Sequence, residues 1–274
     1  MVEKILGAAM LAAAAGAAIW LAQKNKNQEP PDVIESTATP IDGVGPLFED
    51  NFDGDVIDPA KWEKCPCQLR QGVVDVWDDD MAYLDGEGHL ILRAEWDAEN
   101  HRVRSGAIRT KGLFEHGYGY YEACIRLPQA YGIWGAFWMM CGAVGNVDGS
   151  SADGVEIDVI ESIHSESDKA NHALHWDGYG EAHRSQVYDL PSLNIYDGEF
   201  HRFGLERTPE AYIFYVDGAE TWRTEAAGCC PMDGYMKLSV EAAEWAGAGS
   251  ERAIASLPAE MVVEWVRVWE KKPE

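Results

Sequence analysis

Between Leu47 and Trp269 the chain is a succession of short runs of β-branched and aromatic residues, and this rhythm restricts the fold more than any other feature of the sequence. His89–Arg93, Tyr118–Leu127, Tyr212–Val216 and Met261–Trp269 are such runs. Asp85-Gly86, Asp177-Gly178, Asp197-Gly198, Asp217-Gly218 and Asp233-Gly234 punctuate them, and Asp-Gly is a turn dipeptide because both residues tolerate left-handed backbone. No long amphipathic helix separates the runs, strands and helices do not alternate, and no internal repeat is present. The pattern predicts an all-β chain: antiparallel strands packed as a two-sheet sandwich.

That pattern does not reach the N-terminus. Ile5–Ala22 is an unbroken apolar and glycine stretch, mostly Ala, with Lys4 before it and Gln23-Lys24-Asn25-Lys26 after it. It reads as a signal peptide or an N-terminal membrane anchor over residues 1–22, at the lower edge of bilayer-spanning length. Residues 23–46 are polar and Pro-rich without periodicity, the composition of a flexible linker. The folded domain is therefore expected over 47–271, on a protein that is secreted or held at the cell surface, with membrane contact only through the N-terminal segment.

Twenty-two basic against 47 acidic residues give a net charge of −25, which argues against nucleic acid and anionic lipid as partners. It is compatible with a neutral polymer. Eleven Trp suit both sandwich cores and stacking on sugar rings. The six Cys (65, 67, 124, 141, 229, 230) fit no zinc spacing. Cys124 and Cys141 read as buried thiols, and a bridge from Cys65 or Cys67 to Cys229 or Cys230 is compatible with an oxidising compartment, its connectivity open.

The chemistry is concentrated in Asp153-Gly-Val-Glu156-Ile-Asp158-Val-Ile-Glu161. In a strand Glu156 and Asp158 share one face while Val155, Ile157 and Val159 take the other. Glu161 has the wrong parity, and one β-bulge at Val159-Ile160 would restore it. Three carboxylates on one row repel, raising at least one pKa, as an acid catalyst at neutral pH requires. An EF-hand calcium loop fails here, since Asp148 is followed at alternate positions by Ser150 and Ala152.

This E-I-D-V-I-E stretch resembles the signature of glycoside hydrolase family 16 in its bulged E-x-D-x-x-E form. Further blocks resemble that family in order: Leu47–Gly54 with Lys61-Trp62, Phe114–Pro128, Gly132–Trp138, His175-Trp176, Phe200-His201, Val216-Asp217-Gly218 and Val263–Val268. The resemblance implies a concanavalin A-like β-jelly-roll with a concave substrate cleft, a retaining double displacement and a polysaccharide substrate; a monomer is expected. It implies Glu156 as nucleophile, Glu161 as general acid/base and Asp158 as partner of the nucleophile. It places Glu122, Trp134, Trp138, His175 and Trp245 as substrate-binding residues, and Glu241, which shares a strand face with Ser239, would bring a further charge into the cleft. Catalysis would need no cofactor, and a structural Ca²⁺ would be held by Glu264, where the family usually has Asp.

The pattern is departed from at Cys124, where many members carry Arg, at Gly135 in place of Pro, and at Arg207 in place of Trp. The Trp-Pro segment usual before the catalytic strand of β-1,3-glucanases is missing. The leading expectation is an endo-hydrolase of β-1,3- or mixed-linkage β-glucan. A galactan hydrolase, a transglycosylase and a non-catalytic carbohydrate-binding jelly-roll remain alternatives.

Overall fold

Runs of Val, Ile, Tyr, Phe and Trp fold as strands because branched and aromatic side chains pack well on a pleated, half-buried surface. The computed structural model describes residues 45–66, 75–164, 169–190, 194–226 and 228–273. The expected export segment, nearly all of the linker, and Cys67 lie outside them. Among the described residues no helix is long and apolar enough to cross a membrane.

The strands are Phe48–Asp50 (β1), Glu63–Lys64 (β2), Asp75–Trp77 (β3), Ala82–Leu84 (β4), Leu90–Asp97 (β5), Arg102–Ser105 (β6), Ala107–Arg109 (β7), Gly119–Arg126 (β8) and Ile133–Gly142 (β9). Then follow Gly154–Ile163 (β10), Lys169–Trp176 (β11), Arg184–Asp189 (β12), His201–Arg207 (β13), Tyr212–Val216 (β14), Ala219–Thr224 (β15), Gly234–Ala242 (β16) and Ala259–Trp269 (β17). One sheet runs β15-β14-β13-β8-β17-β5-β6-β3, with β1 on β17 and β4 on β5. The other runs β12-β11-β10-β9-β16-β7-β2. Pairing is antiparallel except between β3 and β6. This is the jelly-roll sandwich expected.

Alternation then sorts the side chains. Tyr121, Ala123 and Ile125 of β8, with Val266 and Val268 of β17, face Phe137 and Met139 of β9, Ile157 of β10 and Leu238 and Val240 of β16. All are buried, each large apolar side chain contributing about 1.5–3 kcal/mol. Gly135 belongs where Pro is usual because a Cβ there would lie 2.8 Å from the Pro128 ring and 3.0 Å from Met261 Sδ.

The cysteines within the described residues are free thiols. Cys124 and Cys141 are buried as expected. The bridge envisaged for Cys65 is not formed: Cys65 packs with Trp77 and Trp138 on the outer face of the smaller sheet, whereas Cys230 lies in the core between the sheets.

Arg207, at the end of β13, is 1% exposed. Its guanidinium donates to three carbonyls, those of His116 (3.1 Å), Cys230 (3.1 Å) and Met232 (2.9 Å). A planar fork spreads its donors over several separated acceptors, whereas Trp has one N–H and Lys presents its three donors from a single point. Arg207→Met should therefore leave three carbonyls without this donor and cost on the order of 3 kcal/mol in urea unfolding. Arg207→Lys should recover only part of it, and an unchanged midpoint for the Met variant would refute the clamp.

Candidate active site

β10 lies centrally in the smaller sheet, between β9 and β11, and its register contains one irregularity. Asp158 pairs with Trp138 and Ile160 with Phe137, so two residues of β10 advance against one of β9 and Val159 is left over. Val159 and Ile160 both enter the core. Their two successive inward side chains turn Glu161 outward, onto the face that already carries Glu156 and Asp158. The β-bulge inferred from parity is present at that position.

Pairing then lays out the outer face in rows. Glu156 stands between His175 of β11 and Met140 of β9, with Tyr235 of β16 beyond. Asp158 is followed across the sheet by Trp138 and Lys237, and Glu161 by Ala136 and Ser239, with Asn171 on its other side. Trp134 sits beside Glu241. Together Trp134, Ala136, Trp138, Glu156, Asp158, Glu161, Ile163, Asn171, His175, Tyr179, His183 and Glu241 line an open cavity of about 490 Å³.

The polar contacts tie this floor together. Asp158 is 4% exposed, and its Oδ2 lies 3.3 Å from His175 Nε2. The other ring nitrogen of His175 meets His183 Nε2 at 3.0 Å, and the two rings stack at 5.1 Å. The Tyr179 hydroxyl donates to Glu156 Oε2 at 2.5 Å. Trp138 Nε1 donates to Ser239 Oγ (3.0 Å), which donates to Glu241 (3.1 Å). Desolvation raises the Glu161 carboxyl well above its ordinary range; the Asp158 carboxylate adds to this, His175 opposes it, and Glu156 and Glu241 push further upward. Glu161 is thus a carboxyl suited to keep a proton above the ordinary carboxylate range.

Of the expected substrate-binding residues, Trp134, Trp138, His175 and Glu241 reach the cavity, but not all in the form anticipated. Trp138 is 7% exposed, with Lys237 Nζ 3.6 Å from its ring centroid. One face of that indole is covered by the protein's own cation, so it forms floor, and Trp134 is the more accessible ring. Trp245 lies in the short 3₁₀ turn Glu244–Ala246, and its side chain is outside the described residues. Glu122 is a correction. It sits on β8 of the larger sheet, buried, accepting from Tyr120 at 2.9 Å, and is absent from the cavity lining. The resemblance had carried it to the cleft, and the pairing of β8 puts it in the other sheet.

Glu264 stands where β17 shifts register between Val263 and Trp265, one of its oxygens without a hydrogen bond. Its polar neighbour is the Cys124 thiol, which burial and this carboxylate keep protonated. Calcium takes six to eight oxygens. Among the described residues the one group of three His, Cys, Asp or Glu side chains close enough to share an ion is Glu156, Asp158 and His175. Glu264 and the Cys124 thiol offer one carboxylate between them, so a calcium held here would draw its remaining oxygens from backbone carbonyls and water.

Tyr179, His183, Asn171, Lys237 and Ser239 were not anticipated. Asn171 had a signal, since it shares a strand face with His175. Tyr179 and His183 sit in the turn after β11, where alternation gives no direction to a side chain.

The sequence model of glycosyl hydrolases family 16 matches residues 73–267. The chain is 24% identical over 289 residues to a glucan endo-1,3-beta-glucosidase A1 of Niallia circulans, covering 90% of this chain and 42% of that one. It is 25% identical over 240 residues to a beta-glucanase of Rhodothermus marinus, covering 81% and 84%. The chain thus spans less than half the length of the first of these relatives. Among solved structures, the catalytic domain of an endo-1,3-beta-glucanase (laminarinase) from Thermotoga petrophila superposes with a TM-score of 0.67 at 25% identity, over 82% of this chain and 96% of that one. A Bacteroides ovatus mixed linkage glucan family 16 protein gives 0.68 at 23%, over 81% and 99%, a likeness of fold.

The raised Glu161 carboxyl makes a prediction for stability. Between the ordinary carboxyl range and its raised value the folded chain holds a proton at this site that the unfolded chain releases, so rising pH through that window favours unfolding. Glu161→Gln removes this titration. The variant should melt above the wild type at pH 8, and the gap should close as pH falls toward 4.5; equal melting temperatures at both pH values would refute it.

Proposed function

The chain belongs to glycosyl hydrolase family 16, and we propose that it is a retaining, endo-acting hydrolase of β-1,3- or mixed-linkage β-glucan. The observation that carries this reading is the Val159 bulge, which brings Glu156, Asp158 and Glu161 to one face of one strand with Glu161 favoured as the protonated member.

In this mechanism a Glu156 oxygen attacks the anomeric carbon while the bond from that carbon to the bridging oxygen breaks. Glu161 gives its proton to that oxygen, and the leaving chain departs as a neutral alcohol. The glycosyl unit is then an ester on Glu156. Glu161, now ionised, takes a proton from water, whose oxygen forms the new bond to the anomeric carbon as the ester bond breaks. Two inversions leave the anomeric configuration unchanged. Asp158, 3.3 Å from His175, stands beside the nucleophile and adds to the burial that raises the affinity of Glu161 for its proton.

Several features support a neutral glucan as substrate. The net charge of −25 disfavours anionic polymers. Lys237 on the cleft face is not presented to a ligand, because its ammonium lies between the rings of Trp77 (4.7 Å) and Trp138 (3.6 Å). The named relatives act on β-glucans. An open cavity suits internal cleavage of a polymer, and a polymer substrate agrees with export through the Ile5–Ala22 segment.

Purified protein should release a ladder of oligosaccharides from laminarin or lichenan and none from agarose, with the β-anomer appearing first by ¹H NMR. Glu156→Gln and Glu161→Gln should each lower kcat by roughly three orders of magnitude or more with folding retained. An initial α-anomer would refute retention, and activity confined to agarose would move the substrate to galactan.

A further inference from the structure

Resting on Glu156 as the nucleophile, we propose that Tyr179 is a positioning residue that fixes the Glu156 carboxylate for attack by holding one of its two oxygens. The Tyr179 hydroxyl donates to Glu156 Oε2 at 2.5 Å, at the short end for a hydroxyl bound to a carboxylate. A Glu side chain has three rotatable bonds, and a strand fixes only where it starts. With Oε2 held, the second oxygen has one direction in which to point.

Tyr179 is 61% exposed, which ordinarily means a freely moving ring. Its turn argues otherwise. Asp177 takes left-handed backbone (φ 59°), which Asp tolerates better than most residues, and is itself buried. One oxygen of its carboxylate accepts the N–H groups of Asp148 and Gly149 at 3.0 Å each, and the other lies 3.3 Å from Arg184 Nε. The Gly178 N–H donates to the Val144 carbonyl at 2.7 Å. The phenol ring then packs against His183 (centroids 5.9 Å), which stacks on His175. Backbone, buried carboxylate and ring stack fix Tyr179 from three sides.

The bond also suits both halves of the reaction. When the free oxygen of Glu156 forms the ester, Oε2 becomes its carbonyl oxygen and can still accept from the same hydroxyl. When the ester breaks, the donor is already in place for the returning charge. No proton moves to or from Tyr179 in either step.

Tyr179→Phe deletes the donor and keeps the ring against His183. The test uses an activated 2-deoxy-2-fluoro β-glucan oligosaccharide with a dinitrophenyl leaving group, whose departure needs no acid and so reads attack by the nucleophile alone. In the wild type it should esterify Glu156, located by peptide mass spectrometry. In Tyr179→Phe the labelling rate at saturating reagent should fall on the order of tenfold to hundredfold, the loss expected from a misplaced reacting group, with half-saturating concentration and melting temperature unchanged. An unchanged saturating rate, or a change confined to the half-saturating concentration, would overturn the positioning role alone and leave Glu156 as nucleophile. A wild type labelled elsewhere than Glu156 would overturn the functional reading, and the proposal with it.

Discussion

The arrangement of the cleft depends on the register slip at Val159. Up to Asp158, β10 alternates as any half-buried strand does; beyond it the outward positions move by one. Had the ladder run on without interruption, Glu161 would point between the sheets among Phe137, Leu238 and Val240, where an unpaired carboxyl costs several kcal/mol. Ile160 would face the cleft in its place. Hydrophobic and polar demands are met together only if one residue drops out of the pairing, and Val159, small and branched, fills the core where it does so.

Once the carboxylates share a face, electrostatics divides the labour among them. Asp158 is the most enclosed and has the His175 imidazole beside it. Glu156 is gripped by a hydroxyl, while burial first and the Asp158 carboxylate second raise the affinity of Glu161, farthest along the strand, for a proton. The flanks differ in kind. On the β11 side stand imidazoles and a phenol, while on the β9–β16 side indoles surround an ammonium and a serine relays a hydrogen bond to Glu241. A sugar bound here would meet polar edges on one side and an aromatic surface at Trp134 on the other.

Legibility in the sequence followed the range of the interactions. The acidic strand, its bulge and the sandwich class depend on spacing within a dozen residues, and the spacing of Glu156, Asp158 and Glu161 sufficed to place them. Glu122 was carried to the cleft by resemblance alone, and the pairing of β8 with β13 and β17 puts it in the other sheet. Trp138 was rightly put on the cleft face, yet the ammonium covering it comes from β16, about a hundred residues away in the chain. Tyr179 and His183 lie in a turn, where direction comes from a buried Asp177 and two distant amides rather than from periodicity.

Arg207 bears on how the chain reaches this state. Its three carbonyl acceptors come from His116, 91 residues earlier, and from Cys230 and Met232, 23 and 25 residues later. Until all three segments converge, the guanidinium has only water to satisfy it, and a charge that never leaves arginine cannot be buried alone. Dehydration of this end of β13 therefore requires both the loop before β8 and the segment before β16. A permanent cation placed here makes burial of this end of β13 conditional on segments from before β8 and before β16, and any arrangement lacking one of them leaves the guanidinium short of an acceptor.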